Sequence, residues 1–148
     1  MLTQIIKRII ESSANSNRFD KCLKGVNVIT AGDGKCVAEM KVGKEHTNTY
    51  GTLHGGMTAT LVDYLSGCAL LTHNNVLNDD SKISHSGVSV DLHITYLRAA
   101  KLGEEIVIES NTRKCGKSLA FLDVLIKNKE TGALLATGVH TKFIAGYS

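Results

Sequence analysis

The chain has 148 residues, 43% of them hydrophobic and 21% charged, which is enough for one domain with its own core and too ordinary a balance for disorder. A net charge of +3 without a dense Lys/Arg run, and with only 5% aromatic residues, argues against nucleic-acid binding and agrees with an anionic ligand. Cys22, Cys36, Cys68 and Cys115 are widely separated, which gives neither a metal-ligand set nor a disulfide framework and points to a reducing, cytoplasmic compartment; no stretch approaches the ~18 apolar residues of a membrane span.

The first predicted element is a helix. Leu2, Ile5, Ile6, Ile9 and Ile10 fall at helical spacing, Lys7 and Arg8 lie off that stripe, and Ser12 to Asn17 is a polar break. Residues 1–19 fit two readings, a short helix docked on the domain or a mitochondrial targeting helix, so a mitochondrial association stands beside the cytoplasmic one. Gly25 to Val42 reads as two strands around Gly32-Asp33-Gly34, and Glu45 to Thr52 as a polar loop. From Leu53 to Leu71, Met57, Leu61, Leu65 and Cys68 lie at i, i+4, i+8 and i+11, a long apolar pattern that predicts a central helix.

After a polar loop at Asn74 to Gly87, Val88, Val90, Leu92, Ile94 and Tyr96 alternate with Ser89, Asp91, His93 and Thr95, a strand with one polar side. Glu104 to Arg113 and Ser118 to Asn128 read as strands joined at Gly116, and Glu130-Thr131-Gly132 turns into a last strand ending near Ile144. Helix, two strands, long helix and four strands give an α+β architecture in one domain over residues 1–148, an antiparallel sheet wrapped around one helix.

Chemistry concentrates where the polar loop meets the long helix. His46-Thr47-Asn48-Thr49-Tyr50-Gly51-Thr52-Leu53-His54-Gly55-Gly56 delivers Asn48 and His54 to a helix N-terminus, whose first N–H groups are unpaired and favour a developing oxyanion. The same segment also reads as a Gly-rich loop with a capping role. Asp63, among Thr60, Leu61, Val62, Tyr64 and Leu65, is expected to be partnered or functional if buried; the bland reading is a solvent-facing side chain. His54 and Asp63 are nine positions apart, roughly half a turn out of phase and about 13 Å along the axis. One helix does not readily bring both to one small group, so a shared site requires two chains with antiparallel helices across a two-fold axis. Ser89 can hold a water or a carboxylate, or be only the polar side of a sheet.

Lys114-Cys115-Gly116-Lys117-Ser118 imitates a phosphate-binding loop, but the motif needs Gly where the chain has Asn111, and a strand-like segment follows instead of a helix. A hairpin turn is expected there, with lysines still able to meet phosphates.

His46-Thr47-Asn48, Gly51-Thr52-Leu53-His54-Gly55-Gly56, Thr60-Leu61-Val62-Asp63, Gly87-Val88-Ser89-Val90-Asp91, Gly116-Lys117 and His140-Thr141-Lys142, in that order, resemble the hotdog-fold acyl-CoA thioesterases of the phenylacetate-pathway group. The resemblance runs from about residue 20 onward. It implies a hotdog fold, a homodimer with a continuous sheet, usually a tetramer of two such dimers, and hydrolysis of medium- to long-chain fatty acyl-CoA in lipid metabolism without metal or cofactor. In that family Asn48 and the Gly55 N–H polarise the thioester carbonyl, His54 supports the loop, Asp63 of the neighbouring subunit is base or nucleophile, and Ser89 positions water. Coenzyme A falls to Tyr96-Leu97-Arg98-Ala99-Ala100-Lys101 and Lys114-Cys115-Gly116-Lys117-Ser118-Leu119. A lipid-transfer protein is a further partner by the same resemblance. The chain departs from the family in having Ala99 where a Pro is usual and a longer Asn74 to Gly87 loop. Two other functions are compatible with these residues: a hotdog hydratase or dehydratase, and a non-catalytic acyl-CoA binding module.

Overall fold

The computed structural model describes residues 1–73 and 86–146. The elements are α1 (Leu2–Ala14), β1 (Asn27–Gly32), β2 (Lys35–Lys41), α2 (Gly55–Leu71), β3 (Val88–Tyr96), β4 (Glu105–Cys115), β5 (Leu119–Asn128) and β6 (Leu134–Phe143), with 3-10 turns at Phe19–Leu23 and Lys44–His46. The order is the one the periodicities predict. Asp33 and Gly34 both take positive φ, 52° and 75°, which suits the twist of a tight hairpin between β1 and β2. The expected loop at Asn74 to Gly87, and its extra length, lie outside the described residues except for Ser86 and Gly87.

The six strands form one antiparallel sheet in the order β1-β2-β4-β5-β6-β3. α2 lies on its inner face, and Leu61, Val62, Leu65 and Ala69 are buried against a core that includes Ala38, Ile108 and Ile126. Two glycines permit the close approach. A Cβ on Gly138 of β6 would come within 2.5 Å of Val62, and one on Gly67 of α2 would come within 2.9 Å of the Ser86 hydroxyl. A mid-helix glycine costs about 0.5–1 kcal/mol relative to alanine, so Gly67 is explained by what it makes room for.

The two sheet edges differ. On β1, the Thr3 hydroxyl of α1 accepts from the Ala31 N–H at 3.1 Å and donates to its carbonyl at 3.2 Å, while Ile6 and Ile10 are buried beneath. α1 is thus docked on the domain along β1. β3 pairs only with β6 among the described strands, and Val88, Val90, Leu92 and Tyr96 are exposed along it. A nine-residue edge without proline that exposes these four apolar side chains is open to another strand.

The polar side predicted for β3 is corrected by a bulge between Ser89 and Asp91. Ser89 pairs with Lys142 and faces inward, whereas Asp91 pairs with Thr141 and faces out. The extra residue, Val90, breaks the alternation that would have kept the two on one side.

Candidate active site

Residues 46–56 form a loop tied at several points. The Asn48 carboxamide oxygen accepts from the N–H groups of Tyr50 (3.0 Å) and Thr52 (3.1 Å), and its Nδ2 donates to the Thr52 hydroxyl at 2.9 Å. Asn and Asp favour such local turns because the side chain substitutes for a backbone partner. An amide nitrogen has two hydrogens, so one Asn48 N–H remains for a ligand. Leu53 N–H donates to Ala100 and Leu102 N–H to Gly51, fastening the loop to the segment after β3. Buried His46 accepts from Gly43 N–H through Nδ1 and reaches the Cys22 carbonyl through Nε2, so it anchors the loop from below.

His54 is the N-cap of α2, and its Nδ1 accepts from Gly56 N–H at 2.8 Å. The Tyr96 hydroxyl donates to the Gly55 carbonyl at 2.7 Å. The Gly55 N–H has no hydrogen-bond partner among the described residues and lies at a positive helix end. Asn48, Gly55, Tyr96, Leu97, Arg98, Ala99 and Ala100 all border one cleft of about 380 Å³. Lys101 is exposed beside it, its strand-like pairing with Thr52 closing the loop.

Asp63 is elsewhere. It is 53% exposed, so the buried carboxylate allowed for in the sequence is not what the single chain presents. Its Oδ1 is 3.8 Å from Nε2 of His140, a side chain with no exposure. His140 is held between two hydroxyls, Ser66 on Nδ1 and Ser89 on Nε2, each at 2.7 Å. A neutral imidazole has one donor and one acceptor nitrogen, which suits two hydroxyls. Burial, followed by the nearby Lys142 cation, pushes the His140 pKa below its usual value, against smaller opposing effects of Asp63 and Asp91. His140 and Lys142 both point inward from β6, and burial likewise lowers the Lys142 pKa while Asp63 and then Cys68 oppose it.

The expected site residues therefore fall into two groups. Asn48, His54, Gly55 and Tyr96-Leu97-Arg98-Ala99-Ala100-Lys101 gather at one end of the sheet, where Tyr96 pairs with Ala136. Ser89 lies at the other end of β3, seven residues and roughly 20 Å away by strand rise. Lys114-Cys115-Gly116-Lys117-Ser118-Leu119 lies at that same far end: it is the β4–β5 hairpin expected there, with Ala120 opposite Lys142. Lys114 and Lys117 are exposed.

Comparison with known proteins decides the family. A description of the thioesterase superfamily matches residues 50–134. The chain belongs to the thioesterase superfamily. It is 46% identical to human acyl-coenzyme A thioesterase 13 over 143 residues, covering 97% of this chain and 96% of that protein. Among solved structures, zebrafish thioesterase superfamily member 2 matches with a TM-score of 0.90 at 45% identity, over 98% of this chain and 99% of that one. Mouse thioesterase superfamily member 2 matches with a TM-score of 0.85 at 43% identity, over 98% of each chain. The hotdog fold of this thioesterase-superfamily chain is thereby established along with its α+β class.

Sequence reasoning did not single out Ser66, His140 and Lys142 as a cluster. The available signal was a reversed alternation in β6, where Gly138, His140 and Lys142 take the inward positions and Val139 and Phe143 the outward ones.

Proposed function

We propose that this chain hydrolyses medium- to long-chain fatty acyl-CoA to fatty acid and coenzyme A, in a site shared by two copies of the chain. The observation that carries the reading is the separation just described: a carbonyl-polarising group at one end of β3, a carboxylate group at the other, and an open β3 edge. Antiparallel pairing of two β3 edges across a two-fold axis reverses the ends, so the Asp63 and Ser89 of one copy approach the Asn48 and Gly55 of the other. It also covers Val88, Val90 and Leu92, and it brings the Lys114 to Leu119 hairpin of one copy toward the Tyr96 to Lys101 segment of its partner. Coenzyme A phosphates then lie between Arg98, Lys101, Lys114 and Lys117.

The chemistry follows from these roles. The free Asn48 N–H and the Gly55 N–H donate to the thioester oxygen as it gains charge. Asp63 takes a proton from a water placed by Ser89, the water oxygen bonds to the carbonyl carbon, the C–S bond breaks, and the thiolate leaves to be protonated. Direct attack by the Asp63 carboxylate, with later hydrolysis of the anhydride, uses the same groups. His54 holds the α2 N-terminus, and His140 aims Ser89. The homologues named acyl-coenzyme A thioesterase support this substrate class.

Release of free thiol from acyl-CoA esters of graded length tests the reading, with octanoyl to palmitoyl chains expected to turn over. Tight binding of these esters without thiol release would instead make the chain a binding module. Hydration of an enoyl-CoA without thioester cleavage would make it a hydratase.

A further inference from the structure

A second cavity, of about 750 Å³, lies between α1 and α2, and Arg8, Ile9, Tyr64, Leu71, Ser86 and Lys142 are among the residues lining it, with Asp63 on its wall. That is the size of a small-molecule site. If Asp63 works on the thioester, the acyl group enters this cavity, because the cleft at Gly55 is taken by the coenzyme A side. Its lining is not that of a plain hydrocarbon tunnel. Lys142 is only 5% exposed, and its Nζ donates to the Ser86 hydroxyl at 2.8 Å. An ammonium carries three donors, and a buried donor calls for an acceptor.

The place of that ammonium is set by Gly67. A Cβ there would lie 3.4 Å from the Lys142 Nζ, so the cation rests against α2 about one turn beyond Asp63. Residues four apart on a helix stand about 5–6 Å apart at their Cβ atoms. A thioester carbon about 3 Å from the Asp63 carboxylate or its water therefore has its third to fifth acyl carbons near Lys142. The acceptor that fits is neutral. Asp63 shares the cavity wall with the lysine and acts on its charge, and the Asp63 carboxylate repels a second carboxylate brought beside it by the acyl chain.

We propose that Lys142 is a specificity-determining residue, which selects acyl groups carrying a neutral oxygen acceptor a few carbons from the thioester, such as 3-hydroxyacyl chains. The proposal rests on the thioesterase reading for the direction in which the acyl group runs. Burial has lowered the Lys142 pKa, and the amine and the ammonium alike can donate to that oxygen.

The test is calorimetric binding of two inert ketone analogues, of octanoyl-CoA and of 3-hydroxyoctanoyl-CoA, in which a methylene separates sulfur from carbonyl. Turnover of the two parent thioesters is measured alongside. The wild-type chain should bind the hydroxylated analogue about tenfold more tightly, the effect of one hydrogen bond to a charged donor. Lys142→Met should bring the ratio to about one. Ser86→Ala keeps the cation and should keep the preference; its loss there would assign the effect to Ser86 and overturn the proposal. Equal binding by the wild type overturns it without any variant and leaves octanoyl-CoA hydrolysis to stand or fall separately. Preferential binding with no hydrolysis of either thioester keeps the Lys142 assignment and removes the thioesterase reading.

Discussion

The two groups of candidate site residues are built in opposite ways. At the α2 N-terminus the donors are an amide side chain and a backbone N–H, and most of what holds them lies within a few residues along the chain: Asn48 with Tyr50 and Thr52, and His54 with Gly56. Around Asp63 the groups are an imidazole and two hydroxyls, and they come together from far apart: Ser66, Ser89 and His140 meet only when α2, β3 and β6 are packed. The first arrangement can stabilise charge on a carbonyl oxygen but has no base. The second has a base but no pair of free donors beside it. Each is what the other lacks, and the difference predicts different kinetic signatures when either is damaged.

The largest effect is expected on the carboxylate side. Asp63→Asn should lower turnover by ~10²–10⁴ while acyl-CoA still binds, since the variant removes water activation and little else. Single-turnover kinetics beside a binding isotherm separate the two; near-normal turnover in a homogeneous preparation would remove Asp63 from the chemistry. On the donor side, Asn48→Ala should lower kcat by ~10²–10³ and change KM less, because an oxyanion donor acts chiefly in the transition state. A rise in KM alone would make Asn48 a binding residue. Smaller again is Tyr96→Phe. It frees the Gly55 carbonyl from its hydrogen bond and should cost about tenfold or less in kcat/KM, the size of one neutral hydrogen bond.

The local half was also the more legible one. Asn48, His54 and the two glycines stand together in the sequence, and a loop running into a helix N-terminus already implies unpaired donors. The element order and the Asp33-Gly34 hairpin were readable for the same reason, since each rests on short-range periodicity or turn chemistry. His140 enters only as part of a family motif and without a role, because its meaning depends on a partner 74 residues away. Alternation alone puts Ser89 on the side of Asp91, and nothing in an alternating run marks the bulge that turns it inward. The half-turn offset of His54 and Asp63 did point to two separate groups, because helix geometry is fixed once the helix is known.

The most direct test of the comparison is to repair each half with the other. If each site takes Asn48 and Gly55 from one copy and Asp63 from its partner, two inactive chains complement. Asn48→Ala and Asp63→Asn proteins, mixed and allowed to exchange subunits, form heterodimers in which one site carries both lesions and the other carries neither. Random pairing makes about half of the dimers mixed, and each of these has one good site in two, so roughly a quarter of wild-type activity should return by two-fold symmetry. The recovery should follow the rate of exchange seen by native mass spectrometry, and it should be absent when each variant is exchanged only with itself. Were all the groups drawn from one chain, every chain in the mixture would still hold its own lesion. Complete exchange without regained hydrolysis would therefore rule out the shared site and return the question of what covers the β3 edge.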